Sequence, residues 1–129
     1  MKKKYTILHL DDNPIIMQMI QPLFENNPDI SYASTFNIKQ TDEWLKKRRP
    51  EIFIVDLMLY NDHDPTPGIQ YIKKAYKQYP GIRMIVYTGY KETGLKKELD
   101  PYIVHYEQKA SDPYAFVNKI QAFLEENDS

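Results

Sequence analysis

The chain has 129 residues, no cysteine, and 17 Lys+Arg against 18 Asp+Glu, for a net charge of -1. That is one domain's worth of chain, able to bury roughly two-thirds of its unfolded surface around a single core. The near-neutral balance argues against a general nucleic-acid or acidic-membrane binder. The missing cysteines exclude disulfides, thiolate zinc sites, iron–sulfur clusters and thiol nucleophiles. No apolar run approaches the ~20 residues of a membrane span. The basic start through Lys4 is followed by an apolar stretch that stops at Leu10 before Asp11 and Asp12, which is too short for a secretion signal. The expectation is a soluble, cytoplasmic, single domain over residues 1–129.

The elements alternate along the chain. Tyr5–Leu10 reads as a strand. Asp12-Asn13-Pro14 supplies capping side chains and a proline suited to a first helical turn, with Ile15, Ile16, Met19, Ile20 and Leu23 following at helical spacing. Pro22 lies inside that helix and predicts a kink or early weakening. Ile30–Ala33 reads as a short strand and Ile38–Lys47 as a helix with Ile38, Thr41, Trp44 and Leu45 inward. Ile52–Val55 is continuously apolar and ends in Asp56, as expected of a central parallel strand covered on both faces. After the polar stretch Asn61–Pro67, a helix starts at Pro67 with Ile69, Ile72, Ala75 and Tyr76 on one stripe, and Pro80-Gly81 ends it. Met84–Tyr87 is the next buried strand, ending at Thr88-Gly89. Lys91–Leu99 reads as a short helix anchored by Leu95, and Tyr102–Tyr106 as a fifth strand. Asp112-Pro113 caps the last helix, whose inner face is Phe116, Val117, Ile120, Phe123 and Leu124.

Five strands alternating with five helices predict a flavodoxin-like, doubly wound α/β fold with a parallel sheet in the order 2-1-3-4-5 and helices on both faces. Ligands of such sheets sit beyond the carboxyl ends of the strands. There the first strand ends in Asp11 and Asp12, the third in Asp56 and the fourth in Thr88, and Lys109 follows the fifth. Three converging carboxylates repel one another and call for a cation. With oxygen ligands alone, Mg²⁺ suits them. A metal there attracts phosphate, Lys109 can offset the charge of a phosphoryl oxygen, Thr88 can donate a hydrogen bond to another, and a carboxylate can attack phosphorus.

Together, Leu10-Asp11-Asp12-Asn13, Val55-Asp56-Leu57-Met58-Leu59, Tyr87-Thr88-Gly89 and Tyr106-Glu107-Gln108-Lys109 resemble the receiver domain of bacterial two-component response regulators over essentially the whole chain. The resemblance implies that Asp56 is the phosphoacceptor, served by a histidine kinase or phosphotransfer protein. It implies Asp12 as a direct Mg²⁺ ligand, Asp11 as its acidic neighbour, and Met58 as a ligand through its backbone carbonyl. Thr88 corresponds to the switch hydroxyl, Lys109 to the phosphoryl-contacting lysine, and Tyr106 to the aromatic that turns inward when Thr88 moves. It further implies an output partner, compatibility with a homodimer through the helix 4–strand 5–helix 5 face, and no turnover chemistry beyond the protein's own phosphorylation and dephosphorylation. The chain stops just after helix 5, so no output domain of its own is expected.

Two departures from the family pattern stand out. Ala110 replaces the usual proline after the lysine, so a trans or rearranged loop is expected there, because a non-proline cis bond costs about 2.5–4 kcal/mol. Gly68 comes about four residues late after Asp56, which lengthens the Asn61–Pro67 loop; a tolerated surface insertion costs little loop entropy. His63 within it reads as a solvated side chain rather than a ligand. Lys46-Lys47-Arg48-Arg49 reads as cations at a helix C-terminus rather than a nucleic-acid patch. The eleven tyrosines read mainly as half-buried packing, and His9 and His105 as structural. The alternatives are a degenerate receiver that binds partners without phosphorylation, and a small Mg²⁺ phosphohydrolase or nucleotide binder. The second lacks a G-x-G-x-x-G or P-loop, and Met58 stands where the phosphohydrolase needs a second aspartate.

Overall fold

The computed structural model describes residues 4–60, 64–91, 93–109 and 112–126. The expectations for Asn61, Asp62 and His63 and for the Lys109–Ala110 bond fall outside the described residues. The element order is β1 (Tyr5–Leu10), α1 (Pro14–Glu25), β2 (Ile30–Thr35), α2 (Ile38–Lys47), β3 (Ile52–Val55), α3 (Thr66–Gln78), β4 (Met84–Thr88), α4 (Thr93–Leu99), β5 (His105–Gln108) and α5 (Tyr114–Glu126). The sheet is five-stranded, parallel throughout, and ordered β2-β1-β3-β4-β5, as the alternation predicts.

Strand parity divides the core in two. Leu8, Leu10, Phe53, Val55, Met84 and Val86 face one side, where Leu45 of α2, Tyr71, Ile72 and Ala75 of α3, and Leu95 and Leu99 of α4 cover them. Ile7, Ile52, Ile54, Ile85 and Tyr87 face the other, under Ile20 and Phe24 of α1 and Phe116, Val117, Ile120 and Leu124 of α5. β3 is fully buried along its length, the reason for its continuous apolar run.

Several sequence expectations are corrected. In α1 the inward residues are Met17, Ile20 and Phe24, while Ile15 is 64% and Met19 43% exposed. The apolar stripe is broader than the buried one, and the strand-to-helix entry sets which part faces in. The helix continues past Pro22 to Glu25; Gln18, whose carbonyl would have bonded the missing N–H, is exposed, so water can satisfy it. In α3, Tyr71 turns inward and Tyr76 outward, because the Tyr71 hydroxyl reaches Asp42 of α2 at 2.6 Å. β2 runs on to Thr35, α4 starts at Thr93, and β5 lies at His105–Gln108 rather than Tyr102–Tyr106. The basic run closes α2 as expected. Lys46 and Lys47 lie in its last turn, Arg48 lies over Trp44 (5.0 Å) and Arg49 over Tyr79 (4.7 Å).

Gly68 fixes the approach of α3 to β3. A Cβ there would lie 2.4 Å from the Leu57 carbonyl oxygen and 2.5 Å from the Leu57 Cα, backbone that cannot yield without moving the segment after Asp56. Gly68→Ala is therefore expected to lower the unfolding free energy by about 1–3 kcal/mol despite alanine's ~1 kcal/mol helix advantage. Urea unfolding checks this, and an equal or raised midpoint would contradict the close packing.

Candidate functional site

Backbone hydrogen bonds carry the sheet register into the loops beyond it. The Asp11 N–H donates to the Thr35 carbonyl (3.1 Å), the Asp56 N–H to Leu10 (3.0 Å) and the Lys109 N–H to Thr88 (2.7 Å). Asp11, Asp56 and Lys109 are thus each held one residue past a strand. Parallel pairing of β1 with β3 puts Asp11 and Asp56 side by side. β4 and β5 bring Thr88 and Lys109 to the same edge.

The side chains converge. One carboxylate oxygen from each of Asp11, Asp12 and Asp56 lies within 4.8 Å of the others. Asp11 and Asp56 are buried and Asp12 is exposed. The Lys109 ammonium donates to Asp11 Oδ2 at 2.7 Å and to Asp56 Oδ2 at 3.0 Å. The Thr88 hydroxyl donates to Asp56 Oδ1 at 2.8 Å, and the Met58 N–H to the same oxygen at 3.2 Å. Asp11 Oδ1 accepts the Asn13 N–H (2.9 Å), while Asn13 caps α1 by accepting the Ile15 N–H (3.0 Å). Tyr106 is half-buried on β5, its hydroxyl donating to the Tyr90 carbonyl at 3.3 Å; the Tyr90 N–H in turn donates to Thr88 Oγ1 at 3.3 Å.

The electrostatics follow from crowding like charges in a dry place. Burial, and then the Asp56 carboxylate, push Asp11 up to about 6, with Lys109 and the Asn13 N–H pulling back. Burial presses the Lys109 ammonium down, but Asp56 and Asp11 outweigh it and the net direction is up. One ammonium serves two buried carboxylates, and the third faces solvent beside them. A set of carboxylate oxygens without nitrogen or sulfur fits a small hard cation such as Mg²⁺, with Asp11, Asp12 and Asp56 as the residues able to hold it.

One residue beside the cluster was read from the sequence as a structural strand residue. His9, two residues before Asp11 on the same face of β1, is fully buried. Its Nε2 lies 3.8 Å from Asp11 Oδ2 and its Nδ1 2.7 Å from the Tyr32 hydroxyl. The available signal was a polar residue within a buried strand, in phase with a candidate carboxylate. Burial first, and Lys109 second, lower His9 to about 3, so it is neutral. His105, by contrast, lies at the sheet's far edge, its Nε2 2.8 Å from Glu107.

A doubly wound sheet bearing this carboxylate, hydroxyl and ammonium cluster at its carboxyl edge defines a receiver-type α/β domain. The family model "Response regulator receiver domain" matches residues 7–121, and the chain belongs to that family. Among solved structures, the chain is similar to a Francisella response regulator 1452 receiver domain (22% identity, 95% of this chain and 98% of that one, TM-score 0.79). It is also similar to a CheY-like receiver domain protein from Methanospirillum hungatei JF-1 (23% identity, 99% and 98%, TM-score 0.74). A third is RcsB from Salmonella enterica serovar Typhimurium, solved bound to promoter rprA in the presence of phosphomimetic BeF₃⁻ (22% identity, 92% and 67%, TM-score 0.78). At these identities the likeness is one of fold. A search of curated proteins found no significant match.

The buried histidine yields a pH test. Unfolded His9 returns to 6.5 and takes up a proton as the pH falls below that value, whereas folded His9 stays neutral down to about 3, so its contribution to stability is lost as the pH falls. Asp11 acts in the opposite direction, its raised value favouring the fold as the pH falls through about 6. In His9→Leu only the Asp11 contribution remains. The variant is therefore expected to gain about 2 kcal/mol on the wild type between pH 7 and pH 5, measured by urea unfolding without divalent cations. A difference that does not change with pH would contradict the neutral, buried imidazole.

Proposed function

We propose that this receiver is a phosphoacceptor: Asp56 takes a phosphoryl group from a phosphohistidine on a histidine kinase or phosphotransfer protein. The observation that supports it best is the meeting of Asp56 with Lys109 (3.0 Å), Thr88 (2.8 Å) and the Asp11–Asp12 pair at one sheet edge. An Asp56 carboxylate oxygen attacks phosphorus, the P–O bond forms as the P–N bond breaks, and the leaving imidazole nitrogen keeps the electron pair and takes up a proton. Lys109 and the Met58 N–H hold the carboxylate in place. Lys109 then offsets negative charge on the phosphoryl oxygens, and the Thr88 hydroxyl turns from Asp56 to one of them. Mg²⁺, held by Asp11, Asp12, Asp56 and the Met58 carbonyl, would offset the remaining charge on the transferring group. The protein acts on itself alone and is not a turnover enzyme.

The readout runs through Thr88. Its hydroxyl also accepts the Tyr90 N–H, and the Tyr90 carbonyl accepts the Tyr106 hydroxyl, so a shift of Thr88 reaches β5 through two contacts. Tyr106 turning inward would change the α4–β5–α5 face, where an output protein or a second copy of the chain would bind. No helix among the described residues is long and apolar enough to cross a membrane. A cytoplasmic regulator acting through protein contacts, without direct nucleic-acid binding by this domain, accords with the near-neutral charge.

Acetyl phosphate with Mg²⁺ is expected to add one phosphoryl group, read by intact mass, and Asp56→Asn or chelation of the metal to abolish it. Equal labelling of Asp56→Asn would refute the assignment.

The phospho-form is expected to be long-lived. Met58 and Tyr90 stand two residues after Asp56 and Thr88, and the Met58 methyl lies 3.7 Å from where a Cβ on Gly89 would stand. An apolar and a bulky side chain at these two positions would hinder the approach of an attacking water. Met58→Asn should hasten loss of the phosphoryl group about tenfold, equivalent to about 1.4 kcal/mol of barrier. Rapid loss from the wild type, with no acceleration in Met58→Asn, would count against this role.

A further inference from the structure

His9 is a fully buried titratable side chain beside the carboxylate cluster to which the phosphoacceptor chemistry assigns no task. Its Nε2, without a hydrogen-bond partner, faces Asp11 Oδ2 at 3.8 Å, and its Nδ1 stands 2.7 Å from the Tyr32 hydroxyl. Electrostatics decide which nitrogen carries the proton. A proton on Nδ1 would leave the Nε2 lone pair aimed at a carboxylate oxygen in a dry interior, which is repulsive. With Tyr32 donating to Nδ1, the proton sits on Nε2 and its N–H points at that oxygen, which is attractive. Burial holds off ionisation of the Tyr32 hydroxyl, so it keeps a proton to donate. Its ring is fixed by stacking on Phe24 of α1, with centroids 5.6 Å apart and planes 19° off parallel.

Asp11 Oδ2 also receives Lys109, the residue it shares with Asp56. On the phosphoacceptor reading, on which this inference rests, a phosphoryl group at Asp56 draws Lys109 toward itself. Asp11 Oδ2 then loses its ammonium contact while remaining fully buried, so the carboxylate that would also carry the metal has one fewer group fixing its orientation. The Asn13 N–H is engaged on Oδ1. His9 Nε2 stands 3.8 Å from Oδ2 without a hydrogen-bond partner of its own. We infer that His9 is a positioning residue, whose Nε2–H closes from 3.8 Å onto Asp11 Oδ2 when Lys109 turns to the phosphoryl group and so keeps the Asp11 carboxylate aligned at the metal site. Tyr32 sets the tautomer that makes this contact available.

Imidazole ¹⁵N and ¹H NMR of the wild-type protein tests this directly, with and without Mg²⁺ and beryllofluoride, while ¹⁹F NMR reports bound beryllofluoride. The expected result is a neutral Nε2–H tautomer in both states, with the His9 Nε2–H proton moving downfield on loading. His9→Leu should need about tenfold more Mg²⁺ to load, the usual scale for loss of a ligand's outer partner. His9→Gln, which returns an N–H donor near the Nε2 position, should load like the wild type. A Nδ1–H tautomer would overturn the inference. So would an unmoved Nε2–H resonance despite bound beryllofluoride, or an unchanged Mg²⁺ requirement in His9→Leu. If His9→Leu fails to fold, the wild-type spectra decide alone. If the wild type binds no beryllofluoride, the phosphoacceptor reading falls and this inference with it, an outcome distinct from loading with an unresponsive His9.

Discussion

The two hydrogen bonds of Lys109, to Asp11 at 2.7 Å and to Asp56 at 3.0 Å, are the contacts on which the carboxyl edge of the sheet depends. Two buried carboxylates stand on adjacent strands because parallel pairing of β1 with β3 leaves them nowhere else to go. Without a shared cation their repulsion and desolvation would work against the pairing that makes the core. The ammonium comes from the far side of the sheet, just after β5, and its own backbone N–H is tied to Thr88. It therefore links β1, β3, β4 and β5 at one point. Removing one partner from such a buried pair leaves an uncompensated charge, a cost of several kcal/mol. The balance is incomplete even with Lys109 in place: Asp11 remains pushed up to about 6, chiefly by burial. One ammonium between two buried carboxylates, with Asp12 beside them, leaves a cluster that could hold a metal ion.

The central strands were legible in the sequence as short, continuous apolar runs, and the strand order followed from the arrangement common to short alternating α/β chains. Ile52–Val55 has one physical explanation, burial on both faces, and the aspartate after it must then stand at the sheet edge. Helix faces were less legible. In α3, Tyr71 and Tyr76 are equally good candidates for an apolar stripe, and what decides between them is Asp42 on α2, which accepts hydrogen bonds from both Tyr71 (2.6 Å) and Tyr79 (3.1 Å). No local pattern carries a contact 29 residues away. In α1 the surplus of apolar residues hid the buried set, since Ile15 and Met19 fit the period as well as Met17 and Phe24 do. β5 was misplaced because its observed residues, His105–Gln108, are half-buried or exposed at the sheet edge and so lack the apolar run that marks β3 and β4. His9 was read as structural because a lone histidine in a strand usually is. Its proximity to the cluster depends on strand parity together with Tyr32, a residue of β2 that no motif connects to it.

On the phosphoacceptor reading proposed above, the arrangement around Thr88 is what would give the site two states rather than charge alone. Its hydroxyl has one proton, now given to Asp56 Oδ1, and accepts the Tyr90 N–H with its lone pairs. Any stronger acceptor placed on Asp56 competes for that single proton. The Thr88 side chain cannot satisfy both without moving, and it is fully buried, so a new rotamer displaces its neighbours rather than water. The segment that feels the displacement first carries the Tyr90 carbonyl to which the Tyr106 hydroxyl is bonded. Tyr106 lies on an edge strand with no further strand beside it, so its ring can change position without breaking the ladder. Asp11, in contrast, is held from β2 through its backbone N–H, at the start of α1 by the Asn13 N–H and by the Lys109 ammonium. On that reading, a charge change at Asp56 would meet more fixed contacts on the β1 side than on the β4–β5 side. Strand order is the source of that asymmetry: the 2-1-3-4-5 arrangement places β1 inside the sheet and β5 at its edge.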